Sequence, residues 1–385
     1  MTEVPDFTTS TSPTPMVSPG FEFSLPPELE ASEPPEARGL RRDQVRLMVS
    51  NYSKDKIRHT NFYDLPNFLT RDDVLVINTS RTRNAALPAL RPDGTRLELH
   101  LSTHLVEEPE TFRSLSSDKT NNLWTVELRS LDSQGKSKHF EGAEQGEIIS
   151  LPGAASAQLH GPYISDCDPS VRLPSQTLWL ASLNLPFDVD DYLAQFGFPI
   201  RYNYVKDQWP LPYYQTVYAT ESGSAEMPSA GRPFTSELLT RLKTKGIQVA
   251  PLLLHTGVSN VETHEPPYKE FYQVSEDTAR LVNAAHTSGQ RVIAVGTTVV
   301  RALETVTDGV GKVHGDEGWT CKVVASEDKL RSVNALLTGY HEPQASHLAI
   351  LQALAGLPHI RLAYNEALQH GYLWHEFGDL HLMLP

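Results

Sequence analysis

From Met227 onward the chain alternates helix-period and strand-period segments, and this rhythm limits the possible folds more than any other feature of the sequence. A helix is predicted from Thr235 to Lys245, with Leu238, Leu239 and Leu242 on one face and Gly246 as its stop. The apolar strand Ile247–Leu254 follows directly. A second helix, Ser275 to Thr287, ends at Gly289, and strand Arg291–Val295 then runs through Gly296-Thr297-Thr298 into a third helix that reaches Leu303. Such βαβα order implies a largely parallel sheet, in which ligands bind beyond the carboxyl ends of the strands. The residues after Leu254 and after Val295 are therefore the first place to look for a site.

Upstream the pattern differs. Met1 to Gly20 is rich in Ser, Thr and Pro, and such a segment buries too little apolar surface to offset its ordering entropy, so a disordered arm is expected over 1–20. Order is expected from Phe21, with strands at Val45–Val49 and Asp73–Ile77, the latter ending in the polar loop Asn78-Thr-Ser-Arg81. Between Leu87 and Phe198 short alternating runs separated by turns, such as Arg96–Leu101, Leu123–Leu128 and Gly146–Leu151, predict a small antiparallel sheet or barrel. A chain of 385 residues exceeds the usual size of one core, so about two domains are expected. The predicted fold is α/β: a discontinuous α/β domain (21–87 and 199–385) interrupted by an inserted antiparallel β-barrel domain (88–198).

Charge and composition exclude several functions. The net charge of −14 argues against broad electrostatic capture of nucleic acid, which depends on clustered Lys and Arg. It leaves room for a local groove, and Arg38, Arg41, Arg42 and Arg46 form either one or a solvated face. Mean hydropathy is −0.34, and no apolar run approaches the roughly 18 residues of a membrane span, so a soluble protein without a membrane partner is expected. Cys167 and Cys321 are too few for a disulfide framework or a thiolate zinc site, and the N-terminus lacks a signal-peptide layout. A reducing cytoplasm is the expected compartment.

Several residues are equipped for chemistry. Gly296-Thr297-Thr298 puts backbone N–H groups and two hydroxyls at a helix N-terminus, which suits an anion or polar ligand, although a tight turn with Thr capping has the same sequence. Arg301 and Glu304 share a helical face, as a ligand clamp or an ordinary surface pair. His255 ends the apolar strand and His341 lies in Thr338-Gly-Tyr-His-Glu-Pro343; each is placed for proton exchange or for a buried hydrogen bond. The 15 histidines show no H-E-x-x-H spacing, and no metal is expected. Nucleophile-elbow, P-loop and dinucleotide-binding glycine motifs are also absent from the sequence.

A set of segments follows in order along the chain: Phe21-Glu-Phe-Ser-Leu-Pro26 with Glu33-Pro34, Asn78-Thr-Ser-Arg81, Tyr214-Gln-Thr-Val-Tyr-Ala219, Pro228-Ser-Ala-Gly231 with Phe234-Thr235, Gly296-Thr-Thr298 with Arg301, Leu303 and Glu304, Thr338 to Pro343, and Phe377-Gly-Asp379. Taken together they resemble the S-adenosylmethionine:tRNA ribosyltransferase-isomerase family of queuosine biosynthesis. The resemblance covers Phe21 to Leu382. It implies that the ribosyl portion of S-adenosylmethionine, a co-substrate, passes to an aminomethyl group on a 7-deazaguanine base in tRNA, with adenine and methionine leaving. It further implies proton transfer by His255, cofactor contacts from Arg81, Ser229, Gly231, Thr235, Gly296, Thr297, Thr298 and Arg301, and a place in the same crevice for His341 and Asp379.

The chain departs from the family pattern at particular points. Pro-Thr-Ala-Gly-Leu-His-Phe-Thr is changed so that Arg232-Pro233 precede Phe234, and Asn-Phe-His-Leu-Pro-Lys becomes Gly339-Tyr-His-Glu-Pro-Gln344. His-Val-Gly-Leu-Gly-Thr-Phe becomes His255-Thr-Gly-Val-Ser-Asn-Val261, followed by a shortened His264-Glu-Pro-Pro267. These changes remove basic groups. They leave three acceptor readings open: tRNA, a small molecule receiving the same ribosyl group, or none, in a silent nucleoside-binding relative.

Overall fold

The computed structural model describes residues 21–105, 122–132, 137–165, 167, 174–258 and 268–385. The arm expected over 1–20 and the altered segment His264–Pro267 lie outside the described residues.

Along the chain the first strands are β1 (Arg46–Asn51), β2 (Lys56–Asn61), β3 (Val74–Asn78) and β4 (Ser80–Thr82). Next come β5 (Ala86–Leu90), β6 (Arg96–Leu105), β7 (Leu123–Leu131), β8 (Ser137–His139), β9 (Ile148–Leu151), β10 (Ala155–Ile164) and β11 (Pro174–Asn184). Helix α1 (Val189–Phe196) and β12 (Glu221–Ser224) lead to α2 (Ser236–Thr244), β13 (Gln248–Leu254), β14 (Glu270–Val274), α3 (Glu276–Thr287), β15 (Val292–Val295) and α4 (Thr297–Thr305). The remainder is β16 (Asp316–Thr320), β17 (Ala335–Gly339), α5 (His347–Ala355), α6 (Leu357–Gln369) and β18 (Leu380–Leu384).

Nine strands form one sheet in the order β16-β14-β13-β3-β15-β17-β18-β1-β2. The predicted largely parallel sheet is corrected to a mixed one. Its centre, β13-β3-β15-β17, is parallel, and so is β1 with β18, while β13–β14, β14–β16, β17–β18 and β1–β2 are antiparallel. The reason is that β18 returns through a tight turn after α6 and threads between β17 and β1, which a period-based reading of isolated apolar runs does not register.

Both faces of this sheet are covered. Alternate residues of β3 point to opposite sides: Val74 and Val76 pack with α3 to α6, while Leu75 and Ile77 pack with α2 and Phe234. All five residues of β3 are buried, as expected for a central strand with layers on each face. Helices α2 and α3 begin at side-chain caps, Thr235 Oγ1 accepting from Leu238 N and Ser275 Oγ from Thr278 N.

The second sheet, β11-β10-β9-β5-β6-β7-β8, encloses a core of its own that includes Leu99, Trp124, Val126 and Leu159. An additional β11–β7 pairing turns the sheet back on itself. The expected barrel is reduced to a separate antiparallel sheet, because one seam of the ring, β5 with β9, consists of the single pair Leu90–Ser150. The two sheets are also joined covalently. Cys167 and Cys321, 154 residues apart in sequence and 5.3 Å between Cα atoms, form a disulfide between the β10–β11 connection and the segment after β16. Counting cysteines did not foresee this bridge. Among the described residues no helix is long and apolar enough to cross a membrane.

Candidate functional site

The carboxyl ends of β13, β15 and β17 converge on one cavity of about 200 Å³, roughly ten times the space one water needs. It lies where the strand order of a parallel sheet predicts a ligand crevice. Gly296 ends β15 with φ 91°, a left-handed conformation that favours glycine, and its N–H bonds to the Leu337 carbonyl. The first turn of α4 thereby presents Thr297 and Thr298 to the cavity. The Thr298 hydroxyl is buried with no hydrogen-bond partner among the described residues.

One turn further on, Arg301 lines the same cavity. Its guanidinium is ion-paired with Glu270 on β14, not with Glu304 on its own helix. Nε donates to the Lys322 carbonyl at 2.9 Å, and Nη2 is buried without a partner among the described residues. Glu304 is used elsewhere: its Oε1 accepts from Arg331 N, Ser332 N and Ser332 Oγ. Glu270 also accepts from Gly257 N at 3.2 Å and so fixes the loop after β13.

The loop after β17 and the turn before β18 supply the rest. His341 Nε2 lies 3.0 Å from Thr338 Oγ1, and its ring stacks on His347 at 4.6 Å. Burial holds the His341 imidazole well below its usual range, helped by His347 and His375, and burial lowers His347 and His375 to about 4. All three are therefore neutral near pH 7. Glu342, Glu376 and Glu226 also face the cavity. Burial lifts Glu342 to about 7, and burial together with the neighbouring Glu226 and Glu342 charges pushes Glu376 well above the carboxylate range. Tyr202 Oη donates to Glu226 Oε2 at 2.8 Å. His375 and Gln344 both line the cavity with left-handed φ values of 67° and 66°, a conformation that is costly for side chains of this kind and collects at functional sites.

Of the residues selected by sequence, the structure brings Ser229, Gly296, Thr297, Thr298, Arg301 and His341 together around the cavity. The other five lie outside it. His255 directly follows β13, but its Nδ1 shares a 2.7 Å hydrogen bond with Ser80 Oγ, which in turn bonds Ser224 Oγ at 2.6 Å, and its ring is stacked on Phe271. Burial lowers it to about 4. Gly223 packs so closely that a Cβ there would lie 2.2 Å from the His255 ring. Because Ser224 Oγ also accepts from the N–H of the lining residue Thr256, this network supports the cavity from behind.

Asp379 is a fastener, accepting from Arg46 N, Arg46 Nη2 and Leu373 N at 2.8 Å each. It borders a small adjacent recess shared with Ser229 and Glu376. Arg81 is exposed on β4, Thr235 caps α2, and Gly231 sits where a Cβ would meet Tyr218 Oη at 1.9 Å.

The basic cluster near the N-terminus is engaged internally. Arg38 donates to the Phe377 carbonyl, Arg41 pairs with Asp43, Arg42 with Glu36, and Arg46 with Asp379. Arg232, found where the sequence departs from the family pattern, is 2% exposed and donates to the Tyr213 carbonyl and Glu36. Sequence reasoning missed Glu226, Glu270, His347, His375 and Glu376 as cavity groups. Among the described residues one trio, His59, Glu366 and His370, has ligand atoms within 4.8 Å of one another, and none of it lines the cavity.

Comparison with known proteins matches residues 19–383 to the family described as queuosine biosynthesis protein. The S-adenosylmethionine:tRNA ribosyltransferase-isomerase of Moorella thermoacetica is 33% identical over 94% of this chain and 98% of its own length. That of Symbiobacterium thermophilum is 35% identical over 94% and 98%. A crystal structure of S-adenosylmethionine tRNA ribosyltransferase from Thermotoga maritima aligns over 94% of this chain and 99% of that one, with 26% identity and a TM-score of 0.49. The chain belongs to the queuosine biosynthesis protein family.

Proposed function

We propose that the protein is an S-adenosylmethionine:tRNA ribosyltransferase-isomerase. It moves the ribosyl portion of S-adenosylmethionine onto the aminomethyl group of a 7-deazaguanine base in tRNA, isomerises it to the epoxyqueuosine form and releases adenine and methionine. The observation that carries this reading is the family match across residues 19–383, essentially the whole described chain. The reaction belongs in the cytoplasm, where tRNA is available.

The cavity supports the reading with groups suited to each step. The α4 N-terminus, the Thr298 hydroxyl and the spare Nη2 of Arg301 are polar donors suited to the carboxylate and ribose oxygens of S-adenosylmethionine. Loss of adenine needs a proton beside the sulfonium to be removed and a proton to be delivered to the departing base. His341, buried and neutral, is assigned to proton removal, in place of the more remote His255. The proton that His341 takes up can then be returned to the departing base. His255, Asp379, Thr235 and Gly231 act by positioning the elements around them.

The test is incubation of the purified protein with S-adenosylmethionine, with and without tRNA carrying the 7-aminomethyl-7-deazaguanine base, following adenine and methionine by mass spectrometry. Release of both that depends on this tRNA is expected. Absence of release with the modified tRNA, in a protein that binds S-adenosylmethionine, would overturn the reading.

A further inference from the structure

Among the described residues the cavity is lined by more carboxyl groups than its cations can balance. Glu226, Glu270, Glu342 and Glu376 line it, whereas the Lys and Arg side chains among the lining residues are Arg301 and Lys322. Arg301 is already committed to Glu270. The cation whose charge acts on Glu376 is Arg232, which is itself bound to Glu36 and to the Tyr213 carbonyl.

Glu376 is 5% exposed, and its Oε2 is buried with no hydrogen-bond partner among the described residues. Glu342 has His375 Nε2 at 3.7 Å, beyond hydrogen-bond length, and that imidazole is neutral. A buried carboxyl with neither a cation nor a donor is costly in a folded protein. Glu376 is such a group, on a turn whose backbone at His375 is itself left-handed, and the half-buried Glu342 beside it has no Lys or Arg within ion-pair distance among the described residues. Surroundings of this kind are maintained when a ligand supplies the missing partner.

We infer that Glu342 and Glu376, backed by Glu226, form a cation-accepting subsite that takes a positively charged group of the adenosyl co-substrate, its sulfonium or its ammonium. This rests on the proposed use of S-adenosylmethionine. The carboxyls complement the donor groups on α4, so that one part of the cavity receives the anionic end of the amino-acid moiety and the other receives positive charge. Placed against the sulfonium they favour it over a thioether, because a carboxylate stabilises a cation and gives nothing to an uncharged sulfur; placed against the ammonium they favour ligands that carry the amino-acid moiety.

The test measures the affinities of three ligands, S-adenosylmethionine, S-adenosylhomocysteine and 5′-methylthioadenosine, by calorimetry on the full chain and on Glu342→Gln and Glu376→Gln. Glutamine keeps the shape of a protonated carboxyl, and binding of uncharged methylthioadenosine reports that the cavity remains folded. The expected result is a loss of about tenfold for S-adenosylmethionine, the size of one good charge interaction, with methylthioadenosine unchanged. A loss confined to S-adenosylmethionine assigns the subsite to the sulfonium; an equal loss for S-adenosylhomocysteine assigns it to the ammonium. Equal changes for all three ligands, or none, would overturn the subsite while leaving the proposed reaction standing. Failure of the unaltered protein to bind any of the three would overturn the reaction itself.

Discussion

The two sides of the cavity solve the problem of buried charge differently. On the α4 side Arg301 and Glu270 neutralise each other and the loop after β13 hangs on the pair. On the side built from the loop after β17 and the turn before β18, carboxyls and imidazoles are buried without cations, and they respond by becoming neutral. The contrast separates two duties. A compensated pair holds its shape whether or not a ligand is present, whereas an uncompensated group costs stability and gives discrimination in return.

The strongest way to break the comparison is Arg301→Ala. It leaves Glu270 buried with no counter-charge, and a loss of about 3–5 kcal/mol is expected in urea unfolding. A double change of Arg301→Met with Glu270→Gln should recover most of it; if the single variant unfolds at the same urea concentration as the parent, the two sides do not differ in the way described.

Next in size is His341→Ala, for which single-turnover adenine release should slow by about a hundredfold or more, with S-adenosylmethionine affinity little changed. Unaltered turnover would remove His341 from the chemistry and return His255 to consideration.

The pH dependence of stability sharpens the contrast further. His347 and His375 are lowered to about 4 from an ordinary 6.5, so between those values the unfolded chain holds protons that the native chain lacks, and stability falls as pH drops through that window. Glu342 is raised to about 7 from 4.5, so its contribution is present below 4.5 and is lost as pH rises through 7. Thermal unfolding of Glu342→Gln should therefore show greater stability than the parent at pH 8 and equal stability at pH 4. His375→Asn, which tolerates a left-handed backbone, should flatten the acid limb. Parallel pH curves for parent and variants would contradict these assignments.

The smallest effect concerns Thr298→Val. Its hydroxyl has no partner among the described residues, so stability should change by less than about 0.5 kcal/mol while S-adenosylmethionine binds about fivefold more weakly. Equal affinity would place the ligand away from α4.

Legibility in the sequence followed the same division. The Gly296-Thr297-Thr298 turn, Arg301 and the strands leading to them were readable because strand, turn and helix are consecutive and their periods differ. The Arg301 partner was not, since Glu304 stands one helical turn away and Glu270 lies on another strand. Glu226, Glu342 and Glu376 are far apart in the chain and meet only through the packing of three loops, so each looks like an ordinary surface carboxylate in isolation. His255 was legible as the end of an apolar strand, yet its ring turns toward Ser80 and away from the cavity, a choice fixed by the close approach of Gly223. The mixed character of the large sheet was hidden for a related reason: strand direction depends on how β18 returns, and nothing in Leu380–Leu384 itself encodes that.

The position of β18 has a consequence for the time order of synthesis. Strands β1 and β2 reach the large sheet only through β18, and Arg46 bonds Asp379 across 333 residues. A ribosome making this chain delivers the first hairpin early and its docking strand long afterward, at a rate of about 5–20 residues per second. For that interval of tens of seconds the apolar edge of β1 waits for a neighbour that does not yet exist, and the nascent protein is most open to chaperone capture or mispairing before Leu380–Leu384 emerges.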